Sequence, residues 1–173
     1  MRNIFIGFIF IFLNFNLTLD NAKIGLIPDF VGYIIMINGL AEMAEESTLF
    51  AKVKPYAAGM AIYTGILYLL DLFSITLSLG ALLYILAFVS ISISLYISYN
   101  IVMGVIDIEG KRNIFLNGSS LKSTWTFLAV FNILTIMSLL IPVLTIFFIL
   151  AAFIAAICFL FAFNKSKNLY DRR

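Results

Sequence analysis

Few residues in this chain are of a type that does chemistry, and their spacing points away from catalysis. There is no histidine, so the side chain most used for general acid–base work, metal ligation and proton relay near neutral pH is absent. Cys158 is the single cysteine, which excludes an intrachain disulfide and any multi-cysteine metal site. No H-E-x-x-H, P-loop or dinucleotide glycine pattern occurs, and each of those chemistries needs its own spacing. The chain is therefore not read as an enzyme, and no cofactor or metal is expected.

What remains is a small set of polar residues inside apolar sequence. Asp71 stands in a long uncharged stretch. A carboxylate held in a membrane-spanning helix often marks an ion or proton path. Counted from the start of its helix it lies roughly 23 Å along, close to the far interface, where the simpler reading is a helix-end acid in water paired with Lys23. Asp20, Asp29 and Asp71 could converge into an acidic vestibule that attracts cations, or stand as independent loop charges. Asn38, Asn100 and Asn132 need partners on other helices if they face lipid; a polar line for a solute is the sharper alternative, with Asp29, Asp71 and Asn132 as the candidate transport residues. Ser90, Ser94 and Ser98 repeat every four residues and so share one helix face, as do Ala151/Ala155 and Ala152/Ala156. Glu45-Glu46 has the paired-glutamate start of membrane-embedded CAAX-type proteases, but Ser47-Thr48-Leu49-Phe50 follows where an arginine is needed. The pair is read instead as a solvated helical face.

The elements that must position these residues follow from composition. Of 173 residues, 63% are hydrophobic and 12% charged, with a mean hydropathy of +1.10, too apolar for a soluble domain to hide. A helix needs about 20 apolar residues to cross a hydrocarbon core of roughly 30 Å. The sequence predicts one all-α membrane domain over residues 1–173, with six spans at about 4–19, 27–42, 56–73, 80–106, 121–139 and 142–163. The first is kept as an uncleaved helix because Leu17-Thr18-Leu19-Asp20-Asn21 lacks the small residues of a signal cleavage site. Ile27-Pro28-Asp29 suits a helix start, Pro55 opens the third span and Pro142 the sixth. The stretches 57–106 and 125–163 are each too long for one crossing, since 50 helical residues reach roughly 75 Å, so each folds back once. Gly25, Gly32 and Gly39 recur every seven residues, a face that lets another backbone approach.

Charge orients these spans. Segments 43–55, 107–120 and 164–173, with the N-terminus, fall on one side and carry Arg2, Lys52, Lys54, Lys111, Arg112, Lys165, Lys167, Arg172 and Arg173; Lys122, at the start of the fifth span, joins them and leaves Lys23 alone opposite. The positive-inside rule makes that side cytoplasmic, N-in and C-in. The net charge of +2 then reports membrane orientation, and no nucleic-acid partner is expected.

The run Gly25-Leu26-Ile27-Pro28-Asp29-Phe30-Val31-Gly32-Tyr33-Ile34, followed by Gly39-Leu40 and Ala44-Glu45-Glu46-Ser47, resembles a group of small multi-span membrane proteins of low-GC bacteria that carries no assigned activity. The resemblance implies a multi-pass protein of the bacterial cytoplasmic membrane. Two functions remain open at this point. One is a non-enzymatic assembly or regulatory component, meeting another membrane protein or a second copy of itself through its glycine and small-residue faces within the lipid bilayer and through its cytoplasmic loops. The other is a small transporter or channel for an ion or small solute.

Overall fold

A computed structural model describes residues 1–12, 16–19, 22–25, 28–73, 82–139 and 141–172, with the backbone alone for 16–19, 22–25 and Leu83. The described chain is all-α in its bulk, with six helices: α1 (Arg2–Phe12), α2 (Asp29–Met43), α3 (Thr48–Leu72), α4 (Leu82–Arg112), α5 (Gly118–Met137) and α6 (Pro142–Asp171). Two short antiparallel strands, β1 (Asn16–Leu19) and β2 (Ala22–Gly25), join α1 to α2, with Asn16 opposite Gly25 and Leu19 opposite Ala22.

Among the described residues three helices, not six, are long and apolar enough to cross a membrane by themselves: Tyr84–Arg112, Gly118–Met137 and Pro142–Asp171. The expected first span, 4–19, is not one helix: α1 covers Arg2–Phe12 and Asn16–Leu19 form β1. From Asn14 to Leu19 polar and apolar residues alternate, a period of two that suits a strand and not a helix face. The second has 15 residues, about 22 Å of helix. The third is 25 residues long but carries Lys52, Lys54, Pro55 and Asp71.

Helix ends depart from expectation for local reasons. Pro28 caps α2 in extended conformation and Asp29 occupies the first turn, where a carboxylate complements the helix dipole. α3 begins seven residues before Pro55 because Ser47 caps it, its hydroxyl accepting the Leu49 N–H at 3.4 Å. The polar 43–55 segment is thus a three-residue turn and the first turns of α3. α4 runs on to Arg112, leaving Asn113–Asn117 as the whole connection to α5. Asn113 and Asn117 take left-handed φ values of 50° and 63°, a conformation that asparagine tolerates better than most residues. The Glu109 carboxylate accepts the Leu116 and Gly118 N–H groups at 3.1 and 3.0 Å, satisfying donors that the start of α5 would otherwise leave open. Pro142 begins α6 as expected.

The helices close into a ring. α1 packs on α2, α2 on α3, α3 on α4, α4 on α5, α5 on α6, and α6 returns to α1. One end of the ring gathers the start of α1, the α2–α3 turn, the end of α4 and the end of α6. Asn3 donates to Glu42 at 2.6 Å, Arg112 pairs with Glu46 at 2.6 Å, the Tyr170 hydroxyl lies near Glu46, and the Lys167 ammonium lies 5.0 Å from the centre of the Phe5 ring. Glu46 is therefore a tie between three elements, not a member of a solvated face, while Glu45 is exposed. This is the basic end of the bundle.

Inside the ring the core is apolar. Phe8 meets Phe159 and Phe163 edge-on at 5.2 Å, and Met36, Leu40, Ile97, Ile101 and Leu128 are all buried. Outside, large apolar side chains face away from the protein, Val143 at 78% exposure and Phe161 at 72% among them. A patch of that size suits a lipid solvent and not water.

The tightest packing is between α1 and α2, which run antiparallel. A Cβ at Gly39 would lie 2.6 Å from the Ile4 amide nitrogen, and one at Gly7 would lie 2.7 Å from the Gly32 carbonyl oxygen. Gly32 and Gly39 thus serve close approach as the sequence suggested. Gly25 does not join them, because it ends β2 and lies off α2. Gly59 by contrast has open space around it. Gly39→Ala is expected to destabilise the detergent-solubilised protein by about 1–3 kcal/mol through overpacking. Gly59→Ala should instead raise stability by about 0.5–1 kcal/mol, the ordinary helix preference. Equilibrium unfolding of the two variants checks both, and equal behaviour would mean that the α1–α2 contact is not tight.

Candidate functional site

Each helix brings a small polar set to one place. On α2, Asp29 and Tyr33 are four residues apart and share a face. Ser90 and Ser94 do the same on α4, and α5 contributes Asn132. Together with Ile11, Phe12, Ile91 and Leu95 they line a cavity of about 170 Å³. Tyr33 is buried, its hydroxyl within hydrogen-bonding reach of the Ser94 side chain and close enough to Asp29 to feel its charge. The Asn132 amide donates one N–H to the Leu128 carbonyl at 2.8 Å, which turns the side chain back along its own helix and leaves its carbonyl oxygen as a further acceptor.

The cavity lies toward the end of the bundle opposite the basic contacts, where Asp29 opens α2 and Phe12 is the last described residue of α1. Asp29 lies 13 residues from Glu42, about 20 Å along α2, and Ser94 lies 18 residues from Arg112, about 27 Å along α4. α4 continues for another 12 residues beyond Ser94 to Leu82. Toward the basic end the floor is sealed. Ser98, next on the serine stripe, accepts the Trp125 indole N–H at 2.9 Å and donates to the Leu95 carbonyl at 3.1 Å, tying α4 to α5. Below it Met36, Leu40, Ile97, Ile101 and Leu128 form part of one continuous buried cluster. These buried apolar side chains bound the cavity toward the basic end.

Of the three candidate transport residues, two meet here. Asp29 and Asn132 line the pocket, while Asp71 stands half-buried near the end of α3 and does not. Asp20 lies outside the described residues, as does the Lys23 side chain suggested as a partner for Asp71. The asparagines do not glue helices together as expected. Asn100, like Asn132, donates to its own helix, to the Tyr96 carbonyl at 2.8 Å, and Asn38 is exposed on the outer face of α2. Tyr33 was not singled out from sequence, although its place four residues after Asp29 could have marked it.

The chemistry offered is a carboxylate, hydroxyl groups and an amide carbonyl, an all-oxygen set. One carboxylate among neutral oxygens suits a monovalent cation or a protonated amine better than a divalent metal, which gathers several carboxylates. Among the described residues no group of three or more His, Cys, Asp or Glu side chains could hold a metal ion.

If the pocket is reachable by water and the floor is closed, single cysteines in a Cys158→Ser background should separate sharply. S90C and N132C should react with a small cationic methanethiosulfonate at least tenfold faster than I101C. Equal rates at the three positions would mean that the pocket is not a distinct compartment. Comparison with protein families, with characterised proteins and with solved structures returns no match to this chain.

Proposed function

We propose that this chain is a multi-pass protein of a bacterial cytoplasmic membrane that binds a small monovalent cation or protonated amine in the α2–α4–α5 pocket and carries it across. The observation that supports this is the convergence of Asp29, Tyr33, Ser90, Ser94 and Asn132 from three helices on one cavity of about 170 Å³. Polar side chains are costly within membrane-spanning helices, and where they gather around a cavity they commonly mark a solute path. The sealed floor favours a carrier that alternates over an open channel. A cavity of this size suits an ion with little of its hydration shell, or an amine of a few heavy atoms, and not a sugar or nucleotide.

In this reading all six helices lie within the bilayer, α1 and α2 as a short antiparallel pair beside longer neighbours, with the basic end in the cytoplasm. The positive-inside bias supports that orientation. So does the gathering of Arg2, Lys111, Arg112, Lys165 and Lys167 near the contacts that tie α1, α2, α4 and α6 at one end. Membership of the low-GC bacterial group belongs to the same proposal.

The alternative of an assembly component drew on the glycine faces. Of Gly25, Gly32 and Gly39, the last two are occupied within the chain by α1, and Gly25 lies off the helix at the end of β2. The carrier reading has the pocket in its favour and is preferred here.

In proteoliposomes, saturable uptake of methylammonium or of a potassium-site analogue such as rubidium is expected, and Asp29→Asn should lower it at least tenfold with the fold retained. Uptake that is no greater than in empty liposomes, or identical in the Asn variant, would overturn the carrier. Orientation is checked separately in intact cells: K54C and K165C should be shielded from a membrane-impermeant thiol reagent, whereas D71C should react.

A further inference from the structure

Between α3 and α4 the surface opens into an apolar groove of about 480 Å³, lined by Pro55, Tyr56, Gly59, Met60, Tyr63, Val89 and Ile93. It is separate from the α2–α4–α5 pocket and shares no residue with it. The two helices are tied at both ends of the groove. The Tyr56 and Tyr96 rings meet at 5.0 Å toward the basic end, and the Tyr63 hydroxyl donates to the Leu86 carbonyl at 2.8 Å toward the other. Between the ties they part, and Gly59, with nothing within 4 Å of where its Cβ would be, forms an open stretch of wall. In a bilayer such a gap is filled by whatever apolar chain lies beside it, because an empty one forfeits dispersion contacts along its whole lining.

The end of the groove carries charge of one sign. Lys52, Tyr56, Gly59 and Tyr63 follow one helix face at spacings of three and four residues, so Lys52 continues the groove by one turn, and Lys54 flanks it beside Pro55. Both lysines are exposed. The Lys52 ammonium lies 5.9 Å from the centre of the Tyr96 ring, and among the described residues the ion pairs are Lys111–Asp107 and Arg112–Glu46, neither of which involves these lysines. An apolar slot one chain wide, ending at two lysines that no acid neutralises among those residues, matches a molecule with a long hydrocarbon tail and an anionic head.

We propose that the α3–α4 groove binds one anionic glycerophospholipid from the leaflet at the basic end, an acyl chain lying between Tyr56 and Tyr63 and the phosphate resting on Lys52 and Lys54. Native mass spectrometry of the full chain in detergent, titrated with dioleoyl phosphatidylglycerol or dioleoyl phosphatidylcholine, tests it. The expected result is one retained lipid, with phosphatidylglycerol binding about thirtyfold more tightly. The double variant K52Q/K54Q should bring the two lipids to parity. Gly59→Leu, whose Cβ would have nothing within 4 Å, fills the groove from α3 and should remove the retained lipid of both kinds. If that variant does not fold, Val89→Trp fills the groove from α4 and replaces it. Equal affinity of the wild type for both lipids, undiminished binding in the filled variant, or a dimer in place of a lipid adduct would each overturn the proposal.

Discussion

The contact on which the rest of the bundle depends is the close approach of α1 and α2. Neither helix is long enough to cross a hydrocarbon core of roughly 30 Å unaided, and neither would hold its place there by hydrophobicity, since lipid tails are as apolar as its own side chains. What holds them is contact at short range. Gly7, Gly32 and Gly39 remove the Cβ atoms that would keep the backbones apart, so that dispersion acts over the whole interface. α1 can then present Phe8 and Phe12 to Phe159 on α6, which closes the ring.

That closure also sets the pocket. α2 enters the bundle as a fixed partner of α1, with Asp29 and Tyr33 directed toward α4, and the Trp125–Ser98 bond holds α5 against α4 one turn below. The resulting oxygen-lined space has an apolar floor because the neighbouring positions on the same helices, Met36, Ile97 and Leu128, are large and buried. Polar side chains in such surroundings act at low dielectric, where one carboxylate counts for far more than at a water-exposed surface. The basic end obeys different physics. Its ties, Glu46 with Arg112 and Glu109 with the α5 N–H groups, lie at the bundle's polar rim and serve to set turn geometry.

The two openings on this molecule differ in the way their linings differ. One is small, lined in part by polar side chains and bounded by α1, α2, α4 and α5. The other is larger, apolar and open at the surface between α3 and α4, with lysines at one end only. The first suits something that must leave water, the second something already in the bilayer. Their independence means that a bound lipid at α3–α4 could steady one wall of the ring without competing for the pocket.

The sequence by itself determined the solvent. Its hydropathy, the absence of histidine and the side-by-side clustering of Lys and Arg follow from composition and chain order, and helix starts at Pro142 and near Pro28 follow from backbone chemistry at single residues. It could also place Gly32 and Gly39 on a contact face, because spacing along a helix is a local property. Span count was less legible: a charge census cannot tell a helix that crosses from one followed by the strand Asn16–Leu19, and the alternation from Asn14 was hidden by its apolar content. Which polar residues meet was a decision of the tertiary structure alone. Asp29, Ser94 and Asn132 are separated by dozens of residues, and Asp71 reads from sequence as at least as good a candidate as Asp29. Only the order of helices around the ring, set by side-chain volume at contacts far apart in the chain, puts these three in one cavity and leaves Asp71 outside.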